Sequence, residues 1–200
     1  FHLASLYPYQ NLVIRSILER GGLYGKTART AAEPTQLVVL PTGSGKSVCF
    51  MLPALLLEGL TVVVYPLLSL MNDQMRRMEH LGCRAVMLRG GQTAVERQAV
   101  WKQLEEGTSR FVISNAETLS HPPVCERLAR LRVSLLVIDE AHTVTQWGES
   151  FRPAYLGLHA ISRQLNPSQV VAFTATASPR IIERVTKILF GGERPHMVYG

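Results

Sequence analysis

Cysteine is scarce. Cys49, Cys83 and Cys125 stand far apart, and no CxxC pair occurs. That argues against a zinc site within the chain and against a disulfide scaffold. An odd number of thiols in a mid-sized domain points to a reducing setting, cytoplasmic or, in a eukaryote, nuclear. Acidic residues are outnumbered: 15 Asp and Glu against 21 Lys and Arg leave a formal charge of +6. A cationic excess suits a polyanionic partner, because neutralising phosphates releases counterions. No apolar run is long enough to span a bilayer. The richest stretch, Val48 to Leu70, is broken by Pro53, Glu58, Gly59 and Pro66 and reads as a buried helix followed by a strand. The opening residues, Phe1 to Ile17, lack the basic start and long apolar run of a secretory signal. Phe1 is not an initiator Met, so the chain reads as an excised piece. Repeats and low-complexity tracts are missing too.

What is present is one domain's worth of core. The chain has 200 residues, 46% of them hydrophobic and 18% charged, which favours a single folded unit over disorder. Short runs rich in Val, Ile and Leu recur at 36–40, 61–65, 84–88, 110–114, 134–138 and 170–173. They are near-continuous rather than alternating, as strands buried on both faces are. Helical patterns fall between them, at 9–20, 46–57, 68–81, 94–106, 124–131, 155–165 and 179–190. This alternation predicts an α/β domain, a mostly parallel sheet with helices on both faces. Ligands in such sheets bind at the carboxyl ends of the strands. Gly21–Thr35 has no period and is expected to be a long mobile loop, either a plain insertion or a DNA contact.

Two strand ends carry chemistry. After the first strand comes Pro41-Thr42-Gly43-Ser44-Gly45-Lys46-Ser47, then a helix. Gly43 and Gly45 let backbone N–H groups turn inward around phosphate oxygens, and the helix start aims its positive dipole end at the same anion. Lys46 is placed for the β- and γ-phosphates of ATP, and the Ser47 hydroxyl for Mg²⁺. Leu40 stands where the strict phosphate-loop pattern has its first Gly. About ninety residues later the strand 134–138 ends in Asp139-Glu140-Ala141-His142. An acid at the tip of a buried strand needs a counter-charge or a hydrogen-bonding role such as a helix cap. Mg²⁺ bound to nucleotide assigns Asp139 to the metal, through water, and Glu140 to the attacking water.

These two motifs together resemble superfamily 2 helicases, and four further stretches resemble the RecQ family. Tyr65-Pro66-Leu67-Leu68-Ser69-Leu70-Met71-Asn72-Asp73-Gln74 is similar to its SPLISLMxDQ motif, where DEAD-box RNA helicases carry a PTRELA-like sequence. Gln146-Trp147-Gly148, with Phe151-Arg152-Pro153, is similar to its aromatic-rich loop. Phe173-Thr174-Ala175-Thr176-Ala177 resembles motif III, and Leu6-Tyr7-Pro8-Tyr9-Gln10 resembles motif 0. The resemblance implies a RecA-like P-loop NTPase fold over residues 1–200, the first of two such domains, with the second absent from this chain. It implies an ATP- and Mg²⁺-dependent motor on single-stranded and duplex DNA. Gln10 would read adenine, and Pro41, Thr42, Gly43, Ser44, Gly45, Lys46 and Ser47 would hold the phosphates. Glu140, Lys46, Gln146 and His142 would serve hydrolysis. Trp147, Phe151, Arg152, Ser69, Asn72, Gln74, Thr174 and Thr176 would couple it to nucleic acid, with His142 hydrogen-bonded to motif III. Three departures stand out: Tyr7 replaces the family's motif 0 Arg, Asn115-Ala116-Glu117 replaces SPE, and the 21–35 link is long.

An RNA helicase of the DEAD or DEAH type, a nucleic-acid-binding module without motor activity, and a P-loop kinase or transporter ATPase are the other readings. The stretch 65–74 disfavours the first, and motif III the last. Trp147 and Phe151 either stack on unpaired bases, at ~1–3 kcal/mol each, or pack into the core. The stacking reading, with an arginine finger worth ~10³–10⁵ in rate supplied by the second domain, makes the isolated chain a weak ATPase that unwinds nothing. Trp147→Ala is expected to abolish stimulation of ATP hydrolysis by single-stranded DNA while leaving nucleotide affinity intact. Steady-state hydrolysis beside a nucleotide titration checks this, and undiminished stimulation would refute it.

Overall fold

The computed structural model describes residues 5–21, 34–147 and 153–200, with the side chains of residues 146, 147 and 153 left aside. Most of the 21–35 link, together with Phe151 and Arg152, therefore lies outside the described residues, as do the side chains of Gln146 and Trp147. Thr35 is the first residue of a strand rather than the last of a loop.

Among the described residues a seven-stranded sheet runs in the order β3-β4-β2-β5-β6-β1-β7. Its strands are β1 (Thr35–Val39), β2 (Leu60–Val64), β3 (Ala85–Met87), β4 (Phe111–Ser114), β5 (Val133–Ile138), β6 (Gln169–Thr174) and β7 (His196–Tyr199). Every pairing is parallel. The six apolar runs are β1 to β6. The seventh strand escapes the pattern because it is a short edge strand of only four residues, with just Val198 buried.

Both faces are covered, which is why the strands read as continuous apolar runs. Alternate residues of β2 and β5 part to opposite sides. Val63, Leu135 and Val137 pack under α1 (Pro8–Arg20), α2 (Lys46–Leu56) and α3 (Leu68–His80). Val62, Val64, Leu136 and Ile138 pack under α4 (Ala94–Glu105), α5 (Ala116–Leu119), α6 (Pro122–Ala129), α9 (Leu158–Leu165) and α10 (Pro179–Leu189). Two short helices complete the order, α7 (Thr143–Trp147) and α8 (Pro153–Leu156). The helix expected over 155–165 is split at Gly157, which starts α9. The short α5 is capped by Asn115, whose side chain accepts from Thr118 N at 3.0 Å.

Three neighbouring strands bring the two motif-bearing ends together. In the order β5-β6-β1, Ile138 pairs with Ala172 and Val39 with Thr174. Beyond the strands the ladder continues: Leu40 N donates to Thr174 O at 3.0 Å and Ala141 N to Phe173 O at 2.8 Å. Sequence separation of the motifs is thus closed by one intervening strand.

A buried polar chain docks α1 on the sheet. Ser16 Oγ donates to Gln36 Oε1 at 3.0 Å, Gln36 Nε2 to Gln169 Oε1 at 3.2 Å, and Gln169 Nε2 to Ile17 O at 2.7 Å. Both glutamines are fully buried. Gln169→Leu orphans the Gln36 amide, at a cost of about 1–3 kcal/mol. Thermal unfolding should shift down by roughly 2–12 °C for a chain of this size. Replacing Gln36 by Leu as well is expected to recover part of the loss, because no orphan then remains between the two strands.

Candidate active site

The phosphate loop follows β1 and turns through two left-handed glycines, Gly43 at φ 79° and Gly45 at φ 76°. A side chain at Gly45 would be strained by that backbone and would also meet Gln10 Nε2 at 2.6 Å. Gln10, from α1, is 5% exposed. Its Nε2 donates to Ser44 O at 3.0 Å, and its Oε1 accepts from Tyr7 N at 3.0 Å. Tyr9 adds a second brace, its hydroxyl donating to Ser44 O at 3.1 Å. The loop is therefore held from outside by the first helix. Within it, the Ser44 hydroxyl is buried with no hydrogen-bond partner among the described residues.

Lys46 opens α2, and its side chain is largely buried. Its Nζ donates to Glu140 Oε1 at 3.2 Å, and the other Glu140 oxygen lies 3.4 Å from His142 Nδ1. Glu140 takes the left-handed conformation at φ 50°, which costs a residue with a Cβ about 1 kcal/mol or more. This kink carries the chain off β5 and turns the Glu140 carboxylate toward the loop. A phosphate reaching Lys46 competes with Glu140 for one ammonium group.

Asp139 is 8% exposed, and its carboxylate accepts from Glu140 N at 2.9 Å. Burial pushes its pKa from the ordinary 3.8 up to about 6, Lys46 opposing the rise and Glu140 adding to it. Such a carboxylate is under-compensated and suited to a cation. Ser47 Oγ donates to Gln74 Oε1 at 3.1 Å. One carboxylate plus one hydroxyl beside a phosphate loop is a donor set that suits Mg²⁺, which keeps most of its remaining positions for phosphate and water. Among the described residues no group of three His, Cys, Asp or Glu is arranged for a metal.

The other expected residues divide. Ser69 and Asn72 are exposed on α3. Gln74, grouped with them as coupling hydrolysis to nucleic acid, is 5% exposed and turns inward between Ser47 and Met51 Sδ. Burial removes it from direct contact with a strand and makes it a link from α3 to the phosphate loop. The hydrogen bond expected from His142 to motif III is not formed among the described residues. Thr174 Oγ1 instead donates to Thr176 O at 2.9 Å and accepts from Thr176 N at 3.2 Å. One neighbour was not foreseen. Val64 pairs with Ile138, so Tyr65 and Asp139 leave the sheet side by side. The Tyr65 hydroxyl is buried without a hydrogen-bond partner among the described residues. Nothing local in the sequence marks it, because its setting is made by the strand pairing.

The family model of the DEAD/DEAH box helicase matches residues 7–185. Among curated relatives, the chain is 46% identical over 147 residues to the ATP-dependent DNA helicase RecQ of Synechocystis, covering 70% of this chain and 31% of that protein. It is 37% identical over 161 residues to the ATP-dependent DNA helicase RecQ of Bacillus subtilis, covering 80% and 27%. The chain thus spans under a third of the length of these two relatives. Among solved structures, the DUF1998 helicase MrfA bound to DNA aligns with a TM-score of 0.72 at 18% identity, over all of this chain and 28% of that one. The Hef helicase domain of Pyrococcus furiosus aligns at 0.65 and 21%, over 96% and 38%. At these identities the structural matches establish the fold.

The Asp139 shift sets a pH dependence. Between pH 3.8 and about 6 the unfolded chain releases this proton while the folded one keeps it, so the group's contribution to stability falls as pH rises. Above about 6 the penalty is complete, at about 3 kcal/mol. Asp139→Asn keeps an acceptor for Glu140 N and removes the charge. It is expected to raise the melting temperature of the ligand-free protein at pH 7.5, and the gain should vanish near pH 4. A gain that is the same at both pH values would contradict the assignment.

Proposed function

Because the chain belongs to the DEAD/DEAH box helicase family, we propose that it is the ATP-binding motor domain of a RecQ-like DNA helicase. It would couple ATP hydrolysis to movement along single-stranded DNA and to duplex unwinding. The observation that carries this reading is the 3.2 Å pairing of Lys46 with Glu140, which joins the phosphate loop to the hydrolytic acid. A cradle without an opposed acid would bind nucleotide; with one it can also direct water at it.

Each part then has a task. The N–H groups of the loop and the start of α2 receive the β- and γ-phosphates, and Lys46 adds its charge. Ser47 and Asp139 would hold Mg²⁺, which neutralises charge developing on the transferred phosphoryl group. Glu140 orients the attacking water, and His142 Nδ1 lies 3.4 Å from its carboxylate without a hydrogen bond between them. Gln146, Trp147, Phe151 and Arg152 would report the presence of a strand to this centre. Ser69 and Asn72 offer hydroxyl and amide groups to the DNA backbone from α3. A second RecA-like domain would complete the site with an arginine, and a cytoplasmic or nuclear setting would supply the DNA. The preference for DNA over RNA is supported by the Tyr65–Gln74 stretch and by relatives that are named as DNA helicases.

The test is steady-state ATP hydrolysis by the full-length protein, with no nucleic acid, with single-stranded DNA and with single-stranded RNA, beside Lys46→Ala. Stimulation by DNA of roughly tenfold or more, lost in the variant, is the expected result. Stimulation by RNA alone would make it an RNA helicase, and no hydrolysis under any condition would leave a binding module.

A further inference from the structure

The strand that follows the phosphate-loop helix ends in a residue that departs from the family pattern. Tyr65 opens the stretch similar to SPLISLMxDQ, at the place where that pattern has Ser. Strand pairing fixes where its side chain goes. Val64 and Ile138 are partners in register and pack on one face of the sheet. Asp139 N donates to Val64 O at 3.0 Å and Tyr65 N to Ser114 O at 2.9 Å, so both following residues are still held by the ladder. Alternation along each strand then turns Tyr65 and Asp139 together to the opposite face. Tyr65 is buried on that face with Phe50 of α2 and Met71 of α3, and is 3% exposed. The helix that opens with Lys46 and Ser47 covers the same face.

The hydroxyl at the end of that ring is buried without a hydrogen-bond partner among the described residues. Such a group is costly, and a fold that keeps one calls for a reason. Burial holds the phenol's pKa well above its usual range; Asp139 adds to the rise, Arg77 opposes it and Glu140 adds to it. The group is thus an O–H donor within the field of two acids. Asp139 has room to accept from it. Its carboxylate accepts from Glu140 N at 2.9 Å, and a carboxylate offers about four lone-pair sites. Groups that hydrogen-bond a ligating side chain orient it and strengthen its hold on a metal. A Ser side chain ends one atom beyond Cβ, whereas tyrosine carries its hydroxyl at the far end of a ring, so reach is what the exchange adds.

We infer that Tyr65 is a positioning residue for the metal end of this site: in the protein bound to ATP and Mg²⁺, its hydroxyl donates to the Asp139 carboxylate and holds that acid toward the cation. The inference rests on the reading of the chain as an ATP- and Mg²⁺-dependent motor domain and adds a residue to that site. The unpaired donor of the ligand-free chain then has its acceptor in the loaded one.

The test is fluorescence titration of the full-length protein with ribose-labelled ATP, once with Mg²⁺ and once in EDTA, beside Tyr65→Phe, which keeps the ring and removes only the hydroxyl. Binding with Mg²⁺ should weaken roughly tenfold or more in the variant, while binding in EDTA stays within about twofold. On an Asp139→Ala background the same change should cost less than about threefold, because the hydroxyl acts through that carboxylate. Without nucleotide, Tyr65→Phe should unfold at a temperature no lower than the unaltered protein, since it loses only an unpaired buried hydroxyl. Equal weakening with and without Mg²⁺, or no weakening with Mg²⁺, would overturn the inference. So would the full loss appearing on the Asp139→Ala background, or a fall in the unfolding temperature of the ligand-free variant. Binding of ATP that Lys46→Ala abolishes would leave the motor-domain reading standing under any of those results. No nucleotide binding by the unaltered protein in either condition would sink both.

Discussion

A carboxylate kept from water at the end of a parallel sheet demands compensation, and the catalytic edge of this domain is organised around that demand. Asp139 lies where β5 runs out between β2 and β6, with neighbours on both sides and 8% of its surface exposed. Its proton affinity rises accordingly, restrained by Lys46 across the cleft. Lys46 is itself mostly buried and is paired with Glu140. Three ionisable groups thus share one compensation problem, and the fold leaves it partly unsolved. An edge with two acids and one lysine is prepared for a further cation, and a lysine on a phosphate loop for a further anion. A nucleotide–metal complex brings both at once.

The loop that receives it is held from two directions. Gln10 and Tyr9 fix the Ser44 carbonyl from α1, and Gln74 holds the Ser47 hydroxyl from α3. Neither brace touches the N–H groups that face a phosphate. Fixing the carbonyl side of a glycine-rich turn orients its amide side, and orientation set before binding is not charged against affinity. The brace from α3 also ties that helix to the Ser47 hydroxyl through one buried amide. Exposed Ser69 and Asn72 and buried Gln74 lie within two turns of helix α3, so on the proposed reading a displacement of α3 by a bound strand would reach Ser47 through a single hydrogen bond.

Local features were the ones legible in the sequence. Six strands were visible because double-sided burial writes itself as nearly continuous Val, Ile and Leu, as at 60–64 and 133–138, where only Thr61 and Ser134 break the run. The phosphate loop and the Asp139–Glu140 pair were visible because their geometry is made by adjacent residues. What depended on packing was not. The strand 196–199 has one buried residue and gains its identity from pairing with β1. Gln74 reads as one more polar residue on a helix until the fold turns it inward. The left-handed backbone of Glu140 has no sequence mark at all, since nothing but the descent of the chain from β5 requires it. Tyr7 was visible as a departure from a family pattern, but its stacking on Tyr9 and the anchor of Tyr9 on Ser44 come from the junction of α1 with a loop some thirty-five residues away.

The Lys46–Glu140 pair also bears on when hydrolysis can begin. On the proposed reading, the Glu140 oxygen that accepts from Lys46 is not open to a water molecule for as long as the lysine has no better partner. A triphosphate is such a partner: it carries more charge and is also held by the loop's N–H groups. The exchange trades one buried charge-assisted bond for another, so the desolvation cost of burying Lys46 is already met before nucleotide arrives. What changes is the freedom of Glu140, beside which His142 Nδ1 stands at 3.4 Å. On the proposed reading, release of the Glu140 oxygen follows from phosphate reaching Lys46, and electrostatics within a single cleft would order the two steps.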